Sequence, residues 1–214
     1  MITHEETRLA KSGHTKKLIL MLHGVGSNGS DLIDFADYLD LNQYTTYISP
    51  NAPHAYDMAP IGYQWFSLAD RSINALYQGL LNSADYFHDY IDRKLLEFHL
   101  RPEDLIVIGF SQGAMMALHH MPRGSDPIGG VIAISGALIN PDALASQIQS
   151  RPELLLIHGD QDEVVPFAAM SDAKSAFSSL GVLCDTFVMQ HSGHNITQKA
   201  LQQIHTYLER KNCV

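Results

Sequence analysis

Cysteine is nearly absent: Cys184 and Cys213 are the only two in 214 residues. Two thiols cannot supply a disulfide framework, so a small cross-linked secreted scaffold is excluded. Long apolar runs are lacking as well. The longest compact run, residues 18–22, falls far short of the roughly 20 residues a helix needs to span a bilayer, so stable membrane insertion is not expected. Dense basic runs are missing too, since Lys16-Lys17 is only a pair. With 14 basic against 23 acidic residues the formal net charge is −9, which repels a phosphate backbone and excludes nucleic acid as an expected partner. The opening Met-Ile-Thr-His-Glu-Glu has neither the cationic start nor the apolar stretch of a secretory signal, and a cytoplasmic address is expected. No internal repeat and no low-complexity segment occurs.

What is present is apolar. At 45% apolar and 17% charged residues, the chain can bury a sizeable core, and its length suits one domain over residues 1–214. Strand-like and helix-like periods alternate along it. Compact apolar runs at 18–22, 45–48, 105–108, 131–134, 154–157 and 184–189 predict strands. Helical spacing is predicted from about 30 to 39, from 73 to 98 with Gly79 as a candidate break, and over 114–120, 143–148, 168–180 and 196–208. Residues 7–9 suggest a short additional edge strand. Uniformly apolar strands alternating with helices predict an α/β fold, with a doubly wound, mostly parallel sheet of about seven strands. Such sheets place ligands at the carboxyl ends of their strands.

The chemistry begins at Gly109-Phe110-Ser111-Gln112-Gly113, a G-x-S-x-G pattern directly after the clearest strand and before a helix. That is the setting of a nucleophile elbow, where the turn exposes the serine Oγ and the helix N-terminus favours a developing oxyanion. The alternative is an ordinary serine N-cap. A serine hydroxyl needs an imidazole to take its proton and a carboxylate to orient that imidazole, arriving in the order Ser, acid, His. The loop after 154–157 offers Asp160, Asp162 and Glu163, and the loop after 184–189 offers His191 and His194. Asp160 reads more simply as a turn-stabilising carboxylate, and His191 as a solvent-facing loop residue. A metal reading of His191-x-x-His194 is disfavoured, because the pair has i, i+3 spacing in a glycine-containing loop with no cysteine nearby. No metal and no cofactor are expected.

These residues resemble the phospholipase/carboxylesterase branch of the α/β-hydrolases, which includes acyl-protein thioesterases. Four segments carry the resemblance: 22–26 (Leu-His-Gly-Val-Gly), 109–114 (Gly-Phe-Ser-Gln-Gly-Ala), 159–166 (Gly-Asp-Gln-Asp-Glu-Val-Val-Pro) and 193–196 (Gly-His-Asn-Ile). The resemblance implies Ser111 as nucleophile, Asp162 as acid and His194 as base. It further implies an oxyanion hole made by the backbone N–H groups of Val25 and Gln112, with His23 holding its loop structurally. Trp65-Phe66 resembles a pair that in this family lies beside the active-site cleft. The aromatic-rich stretch 52–70 is therefore expected to give an acyl pocket or partial lid, within a segment reaching to about residue 81. Against this stands simple packing of the same side chains onto the core.

The resulting expectation is a serine carboxylesterase acting on short- to medium-chain acyl esters. Acyl thioesters or lysophospholipids are the alternative substrates for the same residues. A catalytically silent binding module of the same fold is the reading from another class. The expected partner is a small-molecule acyl ester or thioester, and helices near the C-terminus could pair two copies in a homodimer.

Overall fold

The computed structural model describes residues 1–39 and 42–212; Cys213 lies outside the described residues. The chain opens with β1 (Glu5–Arg8) and β2 (Lys17–Leu22), then α1 (Gly29–Ile33), α2 (Ala36–Leu39) and β3 (Thr45–Pro50). A two-stranded ribbon follows, β4 (His54–Ala55) against β5 (Tyr63–Gln64), and then the long helix α3 (Ile73–Phe98). Four further strands alternate with helices: β6 (Leu105–Phe110), α4 (Gln112–His120), β7 (Gly130–Ile134), α5 (Pro141–Gln147), β8 (Leu154–Gly159), α6 (Ala168–Ser179), β9 (Cys184–Met189) and α7 (Gln198–Arg210). Among the described residues, no helix is long and apolar enough to cross a membrane.

Seven strands form one sheet in the order β1-β3-β2-β6-β7-β8-β9. All neighbours run parallel except β1, which pairs antiparallel with β3 at the edge. The chain is an α/β protein with the mostly parallel seven-stranded sheet that the sequence pattern predicts. Successive strand residues point to opposite faces, and both faces are apolar. On β2, Leu18, Leu20 and Leu22 join the core under α3, α4, α5 and α6, while Ile19 and Met21 join the core under α1, α2 and α7. β3 lies on one side of β2, and β6 to β9 proceed outward on the other. The winding therefore reverses between β2 and β6, and a crevice opens at their carboxyl ends.

Local differences from the sequence pattern have physical causes. The helix expected over 30–39 is two short pieces, because the Phe35 N–H bonds back to the Leu32 carbonyl at 3.0 Å and tightens the turn. Gly79 does not break α3. A Cβ there would lie 2.8 Å from the Phe66 ring, so the glycine is what lets Phe66 nest against the helix. Ser72 starts α3 by accepting the Ala75 N–H, and His99 ends it in a left-handed conformation.

Candidate active site

β6 delivers Phe110 and then Ser111 into a sharp turn, with α4 beginning at the next residue. Ser111 has φ 53° and ψ −114°, a strained conformation for a non-glycine residue. The turn is closed by its backbone: Ser111 N–H donates to the Ile134 carbonyl at 2.9 Å, and its carbonyl accepts the Met115 N–H as the first helical bond. It also depends on Gly113, where a Cβ would stand 2.1 Å from the Leu22 carbonyl oxygen, so no other residue lets α4 sit on the end of β2. The loop after β2 lies against the serine. A Cβ on Gly24 would be 3.2 Å from the Ser111 Cβ.

The loops after β8 and β9 bring Asp162 and His194 together. His194 Nδ1 lies 2.8 Å from Asp162 Oδ2. The other carboxylate oxygen accepts the N–H groups of Val164 and Val165, each at 2.9 Å. Burial alone would raise the Asp162 pKa. The Val165 N–H, the His194 bond and charge, and the Val164 N–H outweigh it and hold the carboxyl below its usual value. An ionised carboxylate only accepts, so the neutral form of the His194 ring has its proton on Nδ1 and its lone pair on Nε2. The imidazole stacks at a tilt on Phe110, with ring centroids 4.9 Å apart. Ser111 and His194 line one cavity of about 430 Å³, together with Val25, Leu32, Phe35, Phe110 and Ile196.

The other carboxylate and imidazole candidates stand apart from this pair. Asp160 accepts the Ser192 N–H at 3.3 Å and so ties the two loops to each other. His191 is exposed, at a positive φ in the turn after β9. His158 was not singled out by the sequence, where it follows the predicted strand 154–157; β8 continues through it to Gly159. It is buried, with Nε2 2.9 Å from the Val165 carbonyl and 3.4 Å from Asp162 Oδ2, beneath the carboxylate.

Val25 lines this cavity, and Gln112 directly follows Ser111. The N–H groups of Val25 and Gln112 have no acceptor among the described residues. Neighbouring groups hold their segments in place. Gly26 N–H donates to the Tyr63 carbonyl and Tyr63 N–H to the Ser27 carbonyl, so the β4–β5 ribbon braces the loop carrying Val25. His23, fully buried, accepts the Ala52 N–H on Nε2 at 3.0 Å and donates from Nδ1 to the Gly24 carbonyl at 2.7 Å. Burial lowers the His23 pKa more than the Gly24 bond and the charge of Asp31 raise it, so the ring stays neutral and structural.

Trp65 and Phe66 lie elsewhere than on the wall of this cavity. Trp65 is 0% exposed and Phe66 4%. The Trp65 indole N–H donates to the His23 carbonyl at 2.9 Å, and its ring packs edge-on to Phe87. Both residues instead border a separate cavity between the ribbon and α3, lined with Asp57, Gln64, Gln78 and Asn82. The pair expected beside an acyl chain is thus set against the loop that carries His23 and Val25. An aromatic pair in a loop reads the same in sequence whether it forms a wall or a floor.

A serine at a strained strand–helix turn, at the switch point of a doubly wound sheet and beside a carboxylate-bound imidazole, defines an α/β-hydrolase of the serine-hydrolase class. The chain belongs to the phospholipase/carboxylesterase family, which it matches over residues 4–212. It is 27% identical to acyl-protein thioesterase 1 of Kluyveromyces lactis, over 94% of each chain. It is 31% identical to acyl-protein thioesterase 1 of Saccharomyces cerevisiae, over 78% of this chain and 80% of that one. Among solved structures, the crystal structure of esterase PE8 superposes with a TM-score of 0.93 at 36% identity, covering 96% of this chain and 97% of that one.

Proposed function

We propose that the protein is a serine carboxylesterase that hydrolyses short- to medium-chain acyl esters through an acyl-enzyme on Ser111. The carrying observation is the 2.8 Å contact of His194 with Asp162, on an imidazole that shares one cavity with Ser111. In this reading Nε2 of His194 takes the Ser111 proton as Oγ attacks the ester carbonyl. Asp162 holds the ring in the required tautomer and stabilises the imidazolium. The N–H groups of Val25 and Gln112 receive the charge on the carbonyl oxygen. His194 then protonates the departing alcohol, and the same ring activates water to release the acid.

The cavity supports this substrate size. At about 430 Å³ it lies at the small end of ligand pockets, which run roughly 300–1,000 Å³. Asp31 also lines it, which disfavours an anionic leaving group. Acyl thioesters are the second reading, favoured by the two yeast relatives named acyl-protein thioesterase 1. A cytoplasmic site of action belongs to the same proposal.

The test is release of p-nitrophenol from p-nitrophenyl butyrate, with fluorophosphonate labelling of the intact protein and of Ser111→Ala. Turnover and labelling that both vanish in the variant support the reading. Absence of both in the unaltered protein ends it. Comparing kcat/KM for an S-acyl peptide with that for the ester separates thioester from ester preference.

A further inference from the structure

Phe35 occupies the two-residue turn between α1 and α2, half-buried, with its backbone fixed at both ends. Its N–H bonds to the Leu32 carbonyl at 3.0 Å, and its carbonyl accepts the N–H groups of Tyr38 and Leu39 at 3.0 and 3.1 Å. The ring is a shared wall of three adjacent spaces. On one side is the Ser111 cavity, where Phe35 stands with Leu32, Phe110 and Ile196. Beneath it is a narrow apolar seam bounded by Met21, Leu39, Ile108 and Ile134. On the outer side is a groove of about 600 Å³ between α2 and α7, lined by Tyr38, Leu201 and His205.

We propose that Phe35 is the end-stop of the acyl site, and that the α2–α7 groove is the continuation of that site which the ring closes off from longer chains. The proposal rests on the esterase reading of Ser111 and deepens it by placing the acyl subsite. An acyl chain bound at Ser111 must leave water along an apolar path. Leu32, Phe110 and Ile196 provide that path, and it leads to Phe35. The alternative direction, toward Trp65 and Phe66, is shut by packing: Trp65 is fully buried and its N–H groups are engaged with Gln112 and the His23 carbonyl. Beyond Phe35 the groove is again apolar over Leu201 and Tyr38, and opens to solvent past Gln202 and Thr206. Removing one aromatic ring therefore joins a short pocket to a long one, whereas enlarging the ring shortens the pocket.

The experiment measures kcat/KM of the full chain on p-nitrophenyl esters from acetate to dodecanoate, for the unaltered protein, Phe35→Ala, Phe35→Leu and Phe35→Trp. The readout is the ratio of long-chain to butyrate activity within each variant, which a general loss of activity does not move. The unaltered protein is expected to peak at short or medium chains. Phe35→Ala is expected to raise the decanoate-to-butyrate ratio by about tenfold or more, the scale set by a few methylenes in an apolar pocket. Phe35→Leu should move the ratio the same way by less, and keeps the test alive if the alanine variant does not fold. Phe35→Trp should lower it. Folded variants that keep the unaltered length profile overturn the proposal while leaving the esterase reading standing; an unaltered protein that already prefers dodecanoate overturns the proposal together with the short- to medium-chain part of that reading. An unaltered protein that cleaves no ester and takes no fluorophosphonate overturns both.

Discussion

The side-chain amide of Gln112 grips the main chain of Trp65 and its neighbour from both ends. Gln112 Oε1 accepts the Trp65 N–H at 2.9 Å, and Nε2 donates to the Phe66 carbonyl at 2.7 Å. Trp65 then passes the connection on through its indole N–H to the carbonyl of His23, two residues before Val25. The segments that carry the two proposed oxyanion donors are therefore bound to each other through one tryptophan. Tyr86 of α3 fixes that tryptophan further by donating to its carbonyl at 2.7 Å.

Replacing Gln112 by alanine leaves a buried N–H and a buried carbonyl without partners. Each such group costs about 1–3 kcal/mol, so the melting temperature should fall. If the Gln112 N–H acts, as proposed, on charge that develops in the transition state, kcat should drop more than KM rises. Thermal unfolding and ester kinetics on Gln112→Ala check both. A folded variant with unchanged kcat removes the amide from any positioning role.

Trp65→Phe separates a tryptophan that positions the proposed oxyanion loop from one that binds acyl chains. The ring packing on Phe87 is kept, while the indole donor to the His23 carbonyl is lost. The expected result is a lowered kcat on every ester with an unchanged preference among chain lengths. A changed length profile would return Trp65 to the pocket wall.

The choice of His194 and Asp162 over Asp160, Glu163 and His191 came from the family resemblance, while the loops that pair them were legible in the sequence because each follows a recognisable strand. Ser111 was legible for the same reason, and the glycines around it report a packing constraint that no other residue type satisfies. Trp65 and Phe66 were not legible in this way. Their direction is decided by Gln112, by Gly79 and by the indole bond to His23, all distant along the chain. Phe35 fits the period of an amphipathic helix, so its sequence gives no sign that the helix breaks there and that the residue lines the cavity of Ser111. His158 illustrates a similar limit, since a buried histidine at a strand end shows its partner only when the following loop folds back.

Asp162→Asn tests the orienting carboxylate more cleanly than alanine. The amide keeps the volume and an acceptor for Val164 and Val165, but it permits the wrong imidazole tautomer. A loss of about 10⁴-fold in kcat is the scale expected when an orienting aspartate is replaced in this manner. Asp162→Ala should also destabilise the fold, because a fully buried carboxylate with three partners is withdrawn. Steady-state kinetics alongside chemical denaturation distinguishes the two effects, and an asparagine variant with near-normal kcat would remove Asp162 from the mechanism.

A group of buried histidines away from Ser111 is expected to make stability fall in acid. His119 and His120 end α4; the His120 ring lies against His88 and Phe87 of α3, and the His119 ring lies edge-on to His120. The Tyr77 ring meets His119 edge-on, and Arg123 donates to its carbonyl. Burial, reinforced by Arg123 and His88, lowers His119 to about 3. Burial, with His119, His88 and Arg123 adding to it, holds His120 well below the ordinary value. His88 is lowered too, mainly by burial, although Asp92 and Asp85 pull it back. Unfolding releases these rings to titrate near 6.5, so below that pH the unfolded chain binds more protons than the folded one. Their contribution to stability is complete above about pH 6.5 and is lost as the pH falls, by roughly 1.4 kcal/mol per pH unit for each ring that stays neutral in the fold. The loss from Asp162, whose carboxyl is held below its usual value, begins only near pH 4, so the two windows are distinct. Denaturant melts from pH 8 to pH 5 should show the decline, and His119→Leu should flatten its slope by about one proton. An unaltered slope in a folded His119→Leu protein would mean that this ring already takes its proton in the native state.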